Sequence, residues 1–409
     1  MKKGKSNSKM DRRQFLKVAS LGTGMLALGP FAKPRSVSAK EDLPKQIKIG
    51  LLLPLTGAAS IGGIDVKQGA QLAAKIINSK GGIKGSEIVF VDGDTQCTPT
   101  PGATSATKLS VRDKVNFIIG DYCSSSALAA IPIIAKANIP IFVIALAQDI
   151  TGKSHTPNVF RISCGAHLDM PPVGKFAAKE KGHKSFAAII VNNDWGRSMA
   201  QWFDFGLNKY GGAIKETIFY DMGTIDFSPP LDRVRGMKNI DALYVCGYVE
   251  DSINITETYR KYNMEIPFYG NDLVADYAFQ QKVGKKAVGF HFPWLFDPNS
   301  KEPWVQEYVE AYKKEHGKVP GRDPGWGWSA VHIIKETVDS VGTVDPAKCI
   351  DYIYKKDKFK LTCGEYGFAS PCGQSKLVPG VATYNKDGEI VLVTSRAYGS
   401  DAIPPFCID

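Results

Sequence analysis

The sequence lacks the short patterns by which many enzymes and cofactor carriers are known. No Gly-x-Gly-x-x-Gly follows the first apolar strand, no Gly-x-Ser-x-Gly marks a nucleophile elbow, and neither His-Glu-x-x-His nor Cys-x-x-Cys-His occurs. Histidine is scarce: His155, His167, His183, His291, His316 and His332 are scattered, none with a partner at metal-ligand spacing, so each reads as surface or packing. The cysteines form no Cys-x-x-Cys pair, which argues against a zinc or iron–sulfur site. Cys164 near His167 resembles a nucleophile beside a base, but its place at a helix entry in a chain with paired cysteines favours an inert thiol. These absences exclude the commoner hydrolases and redox carriers. The expectation is no catalytic residue, no metal and no cofactor. Long linkers and low-complexity stretches are also missing, so the chain after its first forty residues reads as one compact unit.

What is present begins with charge. Lys2, Lys3, Lys5 and Lys9 precede Asp11-Arg12-Arg13-Gln14-Phe15-Leu16-Lys17, the apolar run Val18 to Phe31 and the small-residue end Val37-Ser38-Ala39. That order of charged, apolar and cleavable residues is an export signal. Its Arg12-Arg13 pair with Phe15-Leu16-Lys17 resembles the twin-arginine type, departing at Asp11 where Ser or Thr is usual. The run is shorter than the ~20 residues of a membrane span and is interrupted by glycine and proline. We therefore expect a twin-arginine signal peptide over residues 1–39, cleavage after Ala39, and a free periplasmic protein. Residues 1–39 hold nine of the 51 Lys and Arg and one of the 41 Asp and Glu, leaving 42 against 40. A net charge near +2 removes the case for a nucleic-acid or acidic-membrane partner.

Short apolar strands then alternate with amphipathic segments of helical length, the rhythm of parallel sheets covered by helices. One run of strands opens with Ile47 to Pro54 and continues through Glu87–Asp92, Val115–Gly120 and Pro140–Ala145. A second contains Ser185–Val191, Thr217–Tyr220, Ala242–Cys246 and Pro267–Gly270. Two runs of similar order predict two doubly wound parallel-sheet α/β lobes. Gly289 to Trp294 reads as a further strand, and Val381 to Val393 as a hairpin turning at Lys386-Asp387-Gly388. All eight cysteines follow residue 39, and an oxidising compartment permits disulfides. Gly364, Gly367 and Pro371 allow a tight reversal, so Cys363 is expected to pair with Cys372, leaving Cys349 with Cys407.

The blocks Gly50-Leu51-Leu52-Leu53-Pro54-Leu55-Thr56-Gly57, Ile118-Ile119-Gly120-Asp121-Tyr122-Cys123-Ser124-Ser125-Ser126, Asn158 to Ser163, Asn193-Asp194-Trp195-Gly196 and Phe268-Tyr269-Gly270-Asn271-Asp272 stand in an order that resembles a known family. It is the type I periplasmic binding proteins, and within them the leucine/isoleucine/valine-binding group. The resemblance implies a periplasmic binding protein type I fold with a three-stranded hinge, an N-terminal lobe of residues 46–161 and 291–380, and a C-terminal lobe of 162–290 and 381–409. It implies a Cys97–Cys123 disulfide. It also implies a monomeric, non-enzymatic receptor that captures a branched-chain or aromatic amino acid between its lobes and delivers it to the permease of an ABC importer. Receptors for amides, urea or aromatic carboxylates, and sensory subunits, share the architecture.

Physical chemistry gives the site its expected parts. A strand that feeds a helix leaves free amides and the positive end of the helix dipole at its carboxyl edge. Cys123 to Ser126 occupies such an edge, so Ser124, with Ser125, is expected to hold a ligand carboxylate; an ordinary Ser N-cap is the alternative. Asp272 matches the acid that pairs with the α-ammonium, although it is shorter than the family's Glu. Ala145 to Ala147 matches a loop whose carbonyl and Thr hydroxyl hold the amino acid, but Ala147 supplies no hydroxyl. Trp195 and Tyr248 match aromatic cleft positions. Phe292, Trp294 and Phe296 alternate as one face of a strand and read as packing.

Overall fold

The strand Gln46–Leu53 carries Ile47, Ile49, Leu51, Leu52 and Leu53 without solvent exposure. A strand apolar on both faces belongs inside a parallel sheet covered by helices on either side. That is where the computed structural model, which describes residues 43–151 and 156–395, places it. The first sheet runs, edge to edge, Phe368–Ala369, Gln374–Ser375, Val159–Arg161, Ile141–Val143, Phe117–Gly120, Gln46–Leu53 and Glu87–Asp94. Phe117, Ile119 and Phe142 point into one apolar layer with Trp326 and Ile333. Ile118, Ile141 and Val143 point into the other, with Ala127 and Ile134.

The second sheet repeats the arrangement: Ile390–Leu392, Gly380–Tyr384, His291–Trp294, Phe268–Gly270, Ala242–Cys246, Ser185–Val191 and Ala213–Tyr220. The two α/β lobes thus share a strand order in which the first strand of each lies between the second and the third. This reversal of winding opens a crevice at the strands' carboxyl ends. The order moves one expected boundary. His291–Trp294 pairs antiparallel with Gly380–Thr383 and parallel with Tyr269, so this segment belongs to the second sheet. The crossover to the first lobe falls after Trp294, not at 291.

Helices at the crevice begin earlier than apolar spacing suggests: Ser124–Lys136, Asp194–Asn208 and Val249–Lys261. Their first turns are polar, and the latter two are held by side-chain caps. Asn193 Oδ1 accepts from the Gly196 amide at 2.8 Å, and Asp251 accepts from the Tyr248 amide at 3.1 Å. In the first lobe, Ser60–Ser79 crosses Arg322–Val341 with backbones nearly touching. A Cβ on Gly69 would lie 1.7 Å from the Pro324 carbonyl oxygen, and one on Gly327 would lie 1.9 Å from that of Val66. The close crossing fixes the first turn of Arg322–Val341 at the edge of the crevice.

Cys97 and Cys123 form the disulfide that the resemblance implies. Cys372 also forms one, but not with Cys363. These cysteines stand in the turns of two consecutive hairpins, Phe359–Leu361 with Gly364–Tyr366 and Phe368–Ala369 with Gln374–Ser375, so the chain reverses at each cysteine rather than once between them. Cys349 retains a buried thiol rather than pairing with Cys407. Cys407 and the expected signal segment 1–39 lie outside the described residues. Among the described residues no helix is long and apolar enough to cross a membrane.

Candidate functional site

The lobes close on each other at the crevice and leave a narrow cavity of about 20 Å³. Its walls come from the carboxyl ends of both sheets. Tyr122 and Cys123 follow Phe117–Gly120, Ile144 and Leu146 follow Ile141–Val143, Trp195 follows Ser185–Val191, Tyr248 follows Ala242–Cys246, and Asp272 and Leu273 follow Phe268–Gly270. Ser163, Leu295, Arg322 and Trp326 complete the lining. Most of this surface is aromatic or aliphatic. Trp195 and Tyr248 lie against each other with ring centroids 4.9 Å apart.

Of the residues expected at the site, Trp195, Tyr248, Asp272 and Cys123 line the cleft. Ser124 and Ser125 do not. Ser124 sits in the first helical turn with its Oγ accepting the Ala147 amide at 3.0 Å. Ser125 Oγ crosses to the other lobe and donates to Asp194 at 2.5 Å. Ala145 is buried behind the wall, its amide donating to the Asp121 carbonyl at 3.0 Å. Ala147 faces a separate outer hollow with Gln148, Asp194 and Ser198.

Closure rests on further contacts between lobes. The Gln148 amide donates to Ser198 Oγ at 3.2 Å, and Trp202 Nε1 donates to Gln148 Oε1 at 3.0 Å. The Tyr248 hydroxyl meets the sulfur of Cys97 at 3.2 Å. It also accepts from Asn193 Nδ2 at 3.2 Å. The disulfide therefore anchors the loop after Phe117–Gly120 on one side and receives an aromatic residue of the opposite lobe on the other.

Three buried charged side chains around the cleft escape the sequence reading. Asp121, inside a quoted block, is fully buried. Its Oδ1 accepts the Tyr122 and Cys123 amides at 2.6 and 3.2 Å, and Ser126 Oγ donates to its Oδ2. Burial pushes its pKa up to about 7 despite those bonds, with Ser126 opposing most strongly. Arg161 is likewise buried, and its guanidinium donates to the carbonyls of Leu146 at 3.1 Å and Ala147 at 2.6 Å, bracing their loop. Burial draws its pKa down to about 9.

The third is Arg322, in the first turn of Arg322–Val341. Its Nε and Nη2 donate to Asp323 Oδ1 at 2.9 and 2.7 Å, and its Nη1 forms an ion pair with Asp272 of the other lobe. The Tyr122 hydroxyl donates to Asp323 Oδ2 at 2.9 Å. Burial works against the guanidinium's charge, but Asp323, Tyr122 and Asp169 outweigh it and hold the pKa above its ordinary value. Asp169, nearby, is pushed up to about 6 by burial, with Arg322 and Cys164 opposing. Several buried polar atoms of the lining have no hydrogen-bond partner in the protein: Trp195 Nε1, Ser163 Oγ and the Asp272 carboxylate oxygens, of which Oδ2 has only the Arg322 ion pair. Among the described residues no group of His, Cys, Asp or Glu is placed to hold a metal ion.

With this geometry in view, comparison with known proteins is specific. The profile of the family described as periplasmic binding protein matches residues 46–384. A Leu/Ile/Val-binding protein homologue of Brucella melitensis is 26% identical over 310 residues, covering 74% of this chain and 82% of that protein. The leucine-, isoleucine-, valine-, threonine- and alanine-binding protein of Pseudomonas aeruginosa is 25% identical over 327 residues, covering 79% and 85%. In three dimensions, a leucine-binding protein of Thermotoga maritima superposes with TM-score 0.78 at 24% identity, covering 87% of this chain and all (100%) of that one. A solute-binding protein of R. palustris in complex with benzoate superposes with TM-score 0.80 at 22% identity, covering 88% and 99%.

Proposed function

The chain belongs to the periplasmic binding protein family, whose members are solute receptors rather than enzymes, and from that premise we propose that its solute is a small carboxylate with an apolar or aromatic body. The class contains the branched-chain and aromatic amino acids. One observation carries the reading: an interlobe cleft walled by Tyr122, Trp195, Tyr248, Trp326 and aliphatic side chains, in which two buried hydrogen-bonding groups, Trp195 Nε1 and Ser163 Oγ, lack a protein partner. An indole N–H only donates, so it calls for an acceptor such as a carboxylate oxygen. The names of the Leu/Ile/Val-binding relatives support the carboxylate and the apolar body, as does a solved neighbour in complex with 3,4-dihydroxybenzoic acid.

Export by the N-terminal segment, with cleavage after Ala39, puts the receptor in the periplasm. The chain works as a monomer. Ligand touching both lobes favours the closed form by its differential affinity, and that form delivers the solute to the permease of an ABC importer. A thermal-shift screen of amino acids, amine-free aryl and alkyl carboxylates, amides and urea tests the reading. A true ligand at 100 times its dissociation constant adds about 2.7 kcal/mol of stability. Stabilisation by amides or urea, with every carboxylate inert, overturns it.

A further inference from the structure

Arg322 is the charged cleft residue for which capture of an amino acid has no use. An α-amino acid brings an ammonium group that must find acceptors once water is excluded. Here acceptors clear of a protein cation are few. One Asp272 oxygen faces Arg322 Nη1 and the other, buried beside it, has no hydrogen-bond partner; Ala147 has no hydroxyl, and the carbonyls of Leu146 and Ala147 already receive the Arg161 guanidinium. Arg322 is itself held in place, because Asp323 takes its Nε and Nη2 and the crossing at Gly69 and Gly327 fixes its helix. A ligand ammonium at Asp272 would stand beside this guanidinium as a second cation in a poorly screened cleft. Expelling Arg322 would instead deprive a buried charge of one of its two partners.

We propose that the Arg322 guanidinium takes the place of a ligand ammonium, so that the cleft selects amine-free carboxylates, aryl or branched alkyl, over the corresponding α-amino acids. This rests on the reading of an apolar-bodied carboxylate given above. The unpartnered donors Trp195 Nε1 and Ser163 Oγ suit the carboxylate, and the aromatic walls suit the body. Arg322 then does two things. It neutralises Asp272, and it couples the two lobes across the cleft.

Calorimetry on the wild-type chain with matched pairs tests the proposal: 3-phenylpropionate against phenylalanine, and 4-methylpentanoate against leucine. The expected result is at least tenfold tighter binding of the amine-free member of a pair. In Arg322→Gln, which releases Asp272, the gap should close or reverse. Tighter binding of the amino acid by the wild type overturns the proposal while leaving the apolar-carboxylate reading standing. Absence of binding by every member of both pairs and by benzoate at millimolar concentration overturns both. An Arg322→Gln chain that folds and keeps the tenfold gap overturns the role of Arg322. If that variant does not fold, the wild-type pairs decide the selectivity alone.

Discussion

Gly327→Ala should destabilise the fold by about 2 kcal/mol, although alanine is the better helix former. In an exposed helix the exchange gains about 1 kcal/mol from backbone entropy and propensity. At Gly327 the new Cβ would lie 1.9 Å from the Val66 carbonyl oxygen and 2.7 Å from the Ala70 nitrogen, both backbone atoms that no rotamer change can move. Ordinary contact begins at 3.4 Å, so the helices must separate locally by roughly 1.5 Å in an interior packed at crystal density. Overpacking costs about 1 to 3 kcal/mol, and contacts that are rigid on both sides belong at the upper end. Gly236 is the control. It ends the helix Ser228–Gly236, has nothing within 4 Å of the added Cβ and needs no left-handed backbone, so Gly236→Ala should be neutral or slightly stabilising. Urea unfolding followed by circular dichroism gives both values. If the two substitutions have the same sign, the helix crossing is not the tight contact described, and the placement of Arg322 in the first turn of that helix loses its physical basis.

Burial pushes the pKa of Asp276 up to about 7, with neighbouring Asp323 adding to the shift. The folded chain then binds this proton more tightly than the unfolded chain, and the group's contribution to stability falls as pH rises from about 4 through 7. His291 acts in the opposite direction, its pKa drawn down to about 4 by burial, so the test is a difference between proteins. Asp276→Asn keeps a side-chain acceptor for the Ala278 amide, and should gain stability relative to wild type between pH 5 and 8 in parallel thermal melts; a constant difference refutes the assignment. Ser124→Ala strands the buried Ala147 amide, so the ligand-free protein should lose about 1 to 3 kcal/mol. An unchanged urea midpoint without ligand would mean instead that the Ser124 hydroxyl is available to the solute.

The lobes were legible because their signal is local. A strand buried on both faces must be apolar throughout, and Ile47 to Leu53 or Ala242 to Cys246 shows this without reference to the rest of the chain. The cleft positions that immediately follow such strands were legible for the same reason: Trp195, Tyr248 and Asp272 sit one short loop beyond a strand end. Ser124 and Ser125 adjoin the cleft-lining Cys123, but their partners are not legible, because sequence spacing gives a hydroxyl's address and not the direction in which it points. His291–Trp294 was misplaced because its pairing with Gly380–Thr383 joins segments far apart in the chain. Arg322-Asp323 gave no signal either. A charged pair after Pro320-Gly321 reads as the solvated start of a helix, and only the close crossing with Ser60–Ser79 turns it inward.

The same distinction between local and distant contacts bears on selectivity. Several bonds that join the lobes are made by protein groups alone: Ser125 with Asp194, Trp202 with Gln148, Tyr248 with Cys97, and Arg322 with Asp272. A ligand adds to this set rather than creating it. The ligand-dependent part of closure therefore comes from the inner lining, where only a few polar groups face a largely apolar wall. A solute whose polar end matches Trp195 Nε1 and Ser163 Oγ relieves two buried donors, each otherwise costing about 1 to 3 kcal/mol. One that brings a second cation either crowds the Arg322 guanidinium at Asp272 or displaces it, and so weakens the closure that the importer would recognise. Selection against the amine thus follows from the residues that close the cleft, with no additional contact required.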